Sequence, residues 1–253
     1  MNPKEAYEYA LKNGPDEKTR NIVCQDSKYA YRYALIIDKG PREDTRKAAC
    51  ENPYYAYLYA KDIDKSPREN TRKAACKNPN YACMYAEEID KQPREDTRKA
   101  ACRNPFAACF YAINVDKGPR EDTRQAACRE TGSAHYYALE IDKSPRKDTR
   151  KAVCREAEDA YYYALNVDKC PKKNTREAAC KNPYGAYLYA LDIDQGPRED
   201  TRKAACESPE YAYMYAVEID KGFHEDTYNA VLSTKYEKKY NEFLNSCIKK
   251  GII

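Results

Sequence analysis

The sequence contains little of what usually builds a protein core. It has no tryptophan and three methionines, and leucine, isoleucine, valine and phenylalanine together account for only 31 of its 253 residues. So low a content of large apolar side chains is typical of disordered chains when the net charge is also high. Here the formal net charge is only +4, and 34 alanines and 26 tyrosines supply the missing apolar surface. The composition therefore predicts a folded chain with a core of alanine and tyrosine.

Long apolar runs and catalytic signatures are also missing. No stretch approaches the roughly 18 apolar residues that a membrane span needs. The first residues, MNPKEAYEYALKNG, lack the apolar core of a signal peptide. We therefore expect a soluble, cytoplasmic protein that does not enter a membrane. The chain has only two histidines and no glycine-rich phosphate loop, GxSxG or HExxH sequence, so we predict neither an enzyme nor a cofactor.

One spacing recurs through the chain. Threonine occurs every 26 residues from Thr19 to Thr227, and in the first eight copies arginine follows it directly and cysteine lies five residues after it. Uninterrupted repetition of this kind indicates one quasi-linear array and not separate globular domains. We expect the array to span residues 1–232, with an irregular first repeat and an atypical last one. Residues 233–253 are predicted to form a C-terminal capping helix.

Each repeat carries two signals for the start of a helix. Asn52 followed by Pro53 is typical of an N-cap and a first helical position. Ser66 and Glu69 match a capping box that would open a second helix. Helices of about ten residues are marginal on their own, so the stability must come from stacking between repeats. The prediction is an all-α, right-handed α-solenoid of about eight 26-residue, two-helix repeats.

The repeated segment resembles a known class of helical repeats. EDTRKAACENPYYAYLYAKDID and its copies are similar to the HEAT-like and leucine-rich variant repeats, with Asp44, Arg46 and Asn52 at matching places. Thr45 replaces the usual branched apolar residue, and tyrosine replaces most leucines. The resemblance implies a superhelical binding surface, usually lined by the second helices, and a ladder of aspartate and arginine that joins neighbouring repeats. It does not imply a reaction.

The twelve cysteines raise the question of disulfide or metal chemistry. Equivalent residues of stacked helical repeats lie about 8–10 Å apart or more. A disulfide tolerates Cα separations of only ~7 Å, and zinc needs four ligands within about 2.3 Å of one point. The cysteines from Cys24 to Cys206 that follow the repeat therefore cannot pair, and no metal site is predicted. We interpret them as small buried apolar residues that end the second helices; the alternative is a reactive thiol elsewhere.

Two arginines lie near the start of most second helices, as in Arg42 and Arg46. The arginine after threonine is predicted to pair with the aspartate that ends the first helix, because a carboxylate at that end needs a cationic partner. The arginine after proline has no such obvious partner. A row of these arginines could instead follow the phosphates of a nucleic acid. The candidate residues of this row are Arg94, Arg120 and Arg146.

The copies differ most in the middle of the array. Residues 131–133 replace the Asn-Pro step and its follower, and residues 156–159 are locally acidic. A partner that contacts part of the array is expected at residues 106–136 and 156–161; the alternative is drift in loops. The candidate binding residues in this region are Phe106, Phe110, His135 and Tyr136.

The favoured function is a non-enzymatic binding module or scaffold that engages a protein partner along an extended surface, as an adaptor or an inhibitor. The alternative is sequence-tolerant nucleic-acid binding through the arginines that follow proline. A contact within a polymer or filament is the third hypothesis. His135 stands where Tyr57 stands in another repeat, so we interpret it as a packed or solvated ring and not as a catalytic base.

Overall fold

The computed structural model describes residues 1–251, and regular structure within them is entirely helical. Helices make up 72% of these described residues, and no strand occurs among them. The predicted fold class, an all-α solenoid of two-helix repeats, is confirmed. The right-handed sense of the superhelix stays a prediction. The chain divides into an N-terminal unit, Met1–Ala127, and a C-terminal unit, Cys128–Ile253.

Within each unit, first helices carry odd numbers and second helices carry even numbers. The helices of the N-terminal unit are α1 (Pro3–Asn13), α2 (Glu17–Val23), α3 (Ser27–Arg32), α4 (Glu43–Ala49), α5 (Pro53–Leu58), α6 (Glu69–Ala75), α7 (Pro79–Tyr85), α8 (Glu95–Ala101), α9 (Pro105–Asn114) and α10 (Glu121–Ala127). Those of the C-terminal unit are α11 (Thr131–Tyr136), α12 (Lys147–Val153), α13 (Ala157–Tyr163), α14 (Lys173–Ala179), α15 (Pro183–Leu188), α16 (Glu199–Ala205), α17 (Pro209–Tyr215), α18 (Glu225–Val231) and α19 (Glu237–Lys249). Within each unit, the first helices from α1 to α9 and from α11 to α17 each pack against the second helix that follows, and successive first helices in each of these two series pack against one another.

Most first helices widen into a π-helical turn at their C-terminal end. In α3 this turn is closed by the backbone N–H of Asp38, which donates to the carbonyl oxygen of Tyr33, five residues earlier, at 2.9 Å. Lys39 follows with a φ of 53°, a left-handed conformation that costs an L-residue about 1 kcal/mol or more. The π-helical segments are Tyr33–Ile37, Tyr59–Asp64, Ala86–Asp90, Tyr137–Asp142, Ala164–Asp168, Tyr189–Asp194 and Ala216–Asp220.

Alanine and tyrosine form the core, as the composition predicts. Ala56 and Ala60 of one first helix are fully buried, and so is Tyr59 between them. The neighbouring second helix contributes Thr71 and Ala75, which are also fully buried. Small side chains allow the helix backbones to approach closely, and the tyrosine rings fill the remaining volume at the density of a close-packed interior.

The two predicted helix starts have different outcomes. Asn52 is the N-cap of α5, and its side chain accepts a hydrogen bond from the backbone N–H of Tyr54 at 2.9 Å, as predicted. The capping box at Ser66 and Glu69 is wrong, because α6 begins at Glu69 itself and the Ser66 hydroxyl donates to the carbonyl oxygen of Asp64 instead. A group from the next repeat replaces it.

That group is a buried tyrosine hydroxyl, which forms what we call the tyrosine–threonine clasp. The hydroxyl of Tyr85 lies 2.9 Å from Oγ1 of Thr71 and accepts the backbone N–H of Arg68 at 2.9 Å. Each clasp therefore joins a first helix to the start of the preceding second helix and satisfies a polar group that burial would otherwise isolate. Further clasps include Tyr33–Thr19, Tyr59–Thr45, Tyr111–Thr97, Tyr163–Thr149, Tyr189–Thr175, Tyr215–Thr201 and Tyr240–Thr227.

The C-terminal helix takes part in the same pattern. Tyr240 of α19 is fully buried, and its hydroxyl lies 2.8 Å from Oγ1 of Thr227 in α18. The helix α19 thus lies where the first helix of a further repeat would lie. No second helix follows it within the described residues.

Candidate functional site

The arginine that follows threonine is engaged inside the array. Nη2 of Arg46 lies 2.6 Å from Oδ1 of Asp64, and its Nε lies 2.9 Å from Oδ2, in a two-pronged ion pair. The Asp64 side chain is completely buried, and that of Arg46 is 15% exposed. The predicted ladder is confirmed, so these arginines do not present their charge to a partner. The equivalent pairs are Arg20–Asp38, Arg72–Asp90, Arg98–Asp116, Arg150–Asp168, Arg176–Asp194 and Arg202–Asp220.

The arginines that follow proline lie at the surface. Nε of Arg94 is 3.5 Å from Oδ1 of Asp96, and the Arg94 side chain is 40% exposed. Nε of Arg120 is 3.8 Å from Oδ1 of Asp122, and the Arg120 side chain is 53% exposed. Arg146 lies 4.0 Å from Asp142 and is 51% exposed. Each predicted arginine therefore has a carboxylate beside it, which weakens the attraction of the row for phosphate groups.

The predicted aromatic residues differ in exposure. Phe106 lies in the first turn of α9 and is 69% exposed. Phe110, one turn further along α9, is half-buried and packs against a cluster that includes Cys83 and Tyr111. In the C-terminal unit, Tyr136 ends α11 and is 46% exposed. The rings of Phe106 and Tyr136 are thus exposed to a partner, whereas the ring of Phe110 packs mainly against the core.

His135 is a half-buried ring with one unsatisfied nitrogen. In the equivalent position of another repeat, the hydroxyl of Tyr57 donates to Oε2 of Glu88 at 2.7 Å. The Nε2 of His135 is buried and has no hydrogen-bond partner in the described part of the chain. Its ring centroid lies 6.2 Å from that of Tyr163. Burial lowers the pKa of His135, and the charge of Asp159 opposes that shift in part.

This burial predicts a pH-dependent stability. In the unfolded chain His135 binds a proton near the ordinary histidine pKa of 6.5. In the folded chain the lowered pKa keeps the ring neutral at that pH, so protonation favours unfolding. The free energy of unfolding therefore falls as the pH decreases through 6.5. We expect the His135→Gln variant to lose less stability than the parent chain between about pH 7.5 and pH 5.5. Urea unfolding at both pH values measures this difference. Equal losses in the two proteins would contradict the described burial.

The repeated cysteines are less buried than predicted. The repeated cysteines are the C-cap residues of second helices, as in Cys50 and Cys76, and they are half-buried because the helix end faces the surface. Burial raises the pKa of each of these two thiols to about 11, so both stay protonated at neutral pH. All twelve cysteines are free of disulfides, and no group of three potential metal ligands comes together within residues 1–251.

A cavity of about 340 Å³ lies beside the starts of α13 and α15 in the C-terminal unit. We call it the aromatic–acidic cavity, because its wall combines three tyrosines with the acidic segment of residues 156–159. The lining includes Glu156, Glu158, Asp159, Tyr161, Tyr162 and Tyr184.

Gly185 leaves space in the wall of this cavity. Other repeats carry a tyrosine at the same place, as at Tyr55 and Tyr211. A Cβ atom on residue 185 would lie 2.7 Å from the carbonyl oxygen of Ala179, closer than real Cβ contacts allow. Glycine is therefore required by the close backbone approach, and no side chain fills the cavity from this position. Aligning the repeats reveals the glycine, but not the cavity it borders.

No helix among residues 1–251 has both the length and the apolar character needed to cross a lipid bilayer. Comparison of the chain with models of protein families, with curated proteins and with solved structures found no match.

Proposed function

We propose that this chain is a non-enzymatic binding module of the HEAT-like class, which engages a protein partner at the N-terminal ends of its first helices. One observation carries the proposal. The second residue of each first helix is exposed in every repeat from Lys28 onward, and it changes from copy to copy. We call it the variable position. Its occupants are Lys28, Tyr54, Asn80, Phe106, Gly132, Glu158, Tyr184 and Glu210.

The variable position contrasts with the second helices. Those helices repeat a nearly constant sequence. Its threonine forms the clasp and its arginine forms the buried ion pair, so neither side chain is available to a partner. At the variable position, by contrast, Tyr54 is 41% exposed and Phe106 is 69% exposed. Exposed aromatic rings are enriched at protein interfaces because they bury a large area at little entropic cost. Variation at an exposed position supports recognition, since packing does not dictate those residues.

A matched pair of variants tests the proposal. We expect the double variant Tyr54→Ser and Phe106→Ser to lose a protein captured by the tagged parent chain from lysate of its source cells. The control, Lys47→Ser and Lys99→Ser, changes two exposed residues at one equivalent place on the second helices and should retain that protein. Capture should persist after nuclease treatment and in roughly 0.5 M salt, because the contacts are mainly apolar. Loss of the protein in the control, or on nuclease treatment, would contradict the proposal.

The second candidate function is sequence-tolerant nucleic-acid binding. The half-exposed side chains of Arg94, Arg120 and Arg146 support it. Binding through phosphate contacts weakens steeply as salt increases, and removal of one contact reduces that slope by about one. Under this hypothesis Arg94→Ala and Arg120→Ala weaken the binding of labelled RNA or DNA. An affinity that does not change with salt would contradict it.

A further inference from the structure

The aromatic–acidic cavity has an open aromatic wall. The ring centroids of Tyr161 and Tyr162 lie 5.0 Å apart, with their planes at 58°. Tyr162 is 41% exposed and Tyr184 is 47% exposed, so both rings keep apolar surface in contact with water. The volume of about 340 Å³ suits one side chain or a small organic group.

The charges at the cavity are of one sign. Glu156, Glu158 and Asp159 line it, and no lysine or arginine does. Among the described residues, no ion pair and no hydrogen bond engages the carboxylates of these three side chains. Glu156 is the N-cap of α13, yet its side chain makes no capping bond, unlike Glu130, which caps α11 by accepting the N–H of Ser133. The three carboxylates therefore remain available to a ligand.

No other repeat combines acidic side chains at all three of these places with a glycine in the next first helix. Where the acidic segment stands, one neighbouring repeat has Asn182, Pro183, Tyr184 and Gly185, and another has the sequence Asn-Pro-Tyr-Tyr at residues 52–55. Three acidic side chains thus replace uncharged ones beside the glycine that leaves the wall open. The helix dipole favours acidic residues in the first turn of any helix. It does not explain why these acidic residues lie beside a tyrosine-lined cavity.

We propose that the aromatic–acidic cavity receives a cationic side chain, arginine or lysine, from a basic segment of the protein partner; this rests on the proposed function. Carboxylates neutralise such a side chain, and a tyrosine ring attracts a cation positioned within about 6 Å of its centroid. A neutral ligand would leave three carboxylates unneutralised, and an anion would be repelled by them. The cavity thus selects for positive charge and for a flat or slender apolar stem.

The test uses the full chain and two short peptides with acetylated N-termini and amidated C-termini, Gly-Ser-Arg-Ser-Gly and the same peptide with citrulline in place of arginine. Citrulline preserves the shape of arginine and removes its charge. We expect the arginine peptide to give saturable NMR shifts at residues around Tyr162 and Tyr184, and the citrulline peptide to give none. Glu158→Gln and Tyr162→Leu should each weaken binding about threefold to fivefold.

Two controls lie in the C-terminal unit, outside the cavity lining and outside the variable position. Glu199→Gln removes an exposed carboxylate from the first turn of α16, and Leu139→Ala shortens an exposed apolar side chain. Both should bind the peptide like the parent chain. Equal weakening in the controls, or equal binding of the citrulline peptide, would overturn the proposal. These outcomes are independent of the capture test, whose variants Tyr54→Ser and Phe106→Ser lie in the N-terminal unit, so each proposal can fail alone.

Discussion

Replacing Asp64 by asparagine is expected to lower the free energy of unfolding by about 3–5 kcal/mol. The substitution keeps the shape of the side chain but leaves the guanidinium of Arg46 charged, 15% exposed and without its carboxylate. Burial of an uncompensated charge costs far more than the net gain from a surface ion pair. Urea unfolding followed by helical circular dichroism measures the effect.

A surface pair in the next second helix serves as the control. Nζ of Lys73 lies 2.5 Å from Oε1 of Glu69, but both side chains are at least 70% exposed. Glu69→Gln should therefore cost only about 0.3–0.5 kcal/mol. If Asp64→Asn costs no more than Glu69→Gln, the ladder does not hold the repeats together.

Removal of one clasp hydroxyl is expected to cost about 1–3 kcal/mol. In Tyr85→Phe the ring still fills its place, but the backbone N–H of Arg68 and the hydroxyl of Thr71 lose their common partner in a buried site. An unsatisfied buried donor carries its full desolvation penalty. Urea unfolding of Tyr85→Phe measures the loss, and Tyr54→Phe, at an exposed ring, is the control with little expected change.

A double-mutant cycle separates the clasp from general packing. Thr71→Val removes the second hydroxyl of the clasp. In the double variant with Tyr85→Phe, the decrease in the free energy of unfolding should be smaller than the sum of the two single decreases. Additive losses would show that the two hydroxyls do not interact, contrary to their separation of 2.9 Å.

Local signals explain what was predicted correctly. The Asn-Pro step at Asn52 acts within a few residues, and the alanine stripe of Ala56 and Ala60 follows from helical spacing. The pairing of Arg46 with Asp64 was predictable, although 18 residues separate the two. A carboxylate at the C-terminal end of a helix is repelled by the helix dipole, so a cation beside it is favoured. Repetition strengthened each of these inferences, because every copy shows the same pattern.

Contacts between repeats explain what was missed. The capping box failed because Tyr85, 17 residues after Arg68, supplies the bond that a local side chain usually provides. The cysteines at the ends of second helices were expected to be buried, but exposure depends on how closely the next repeat covers a helix end. The aromatic–acidic cavity depends on the approach of residue 185 to Ala179, which no spacing along the chain reveals.

The sequence by itself determined the 26-residue period, the helix pairs and the residues of the core, because these depend on interactions over one or two helical turns. Only the tertiary structure decided which polar groups form hydrogen bonds or ion pairs with one another inside the array and which remain at its surface. The reason is that hydrogen bonds and ion pairs require two atoms to lie within about 3 Å of each other, and here those atoms belong to residues far apart in the chain.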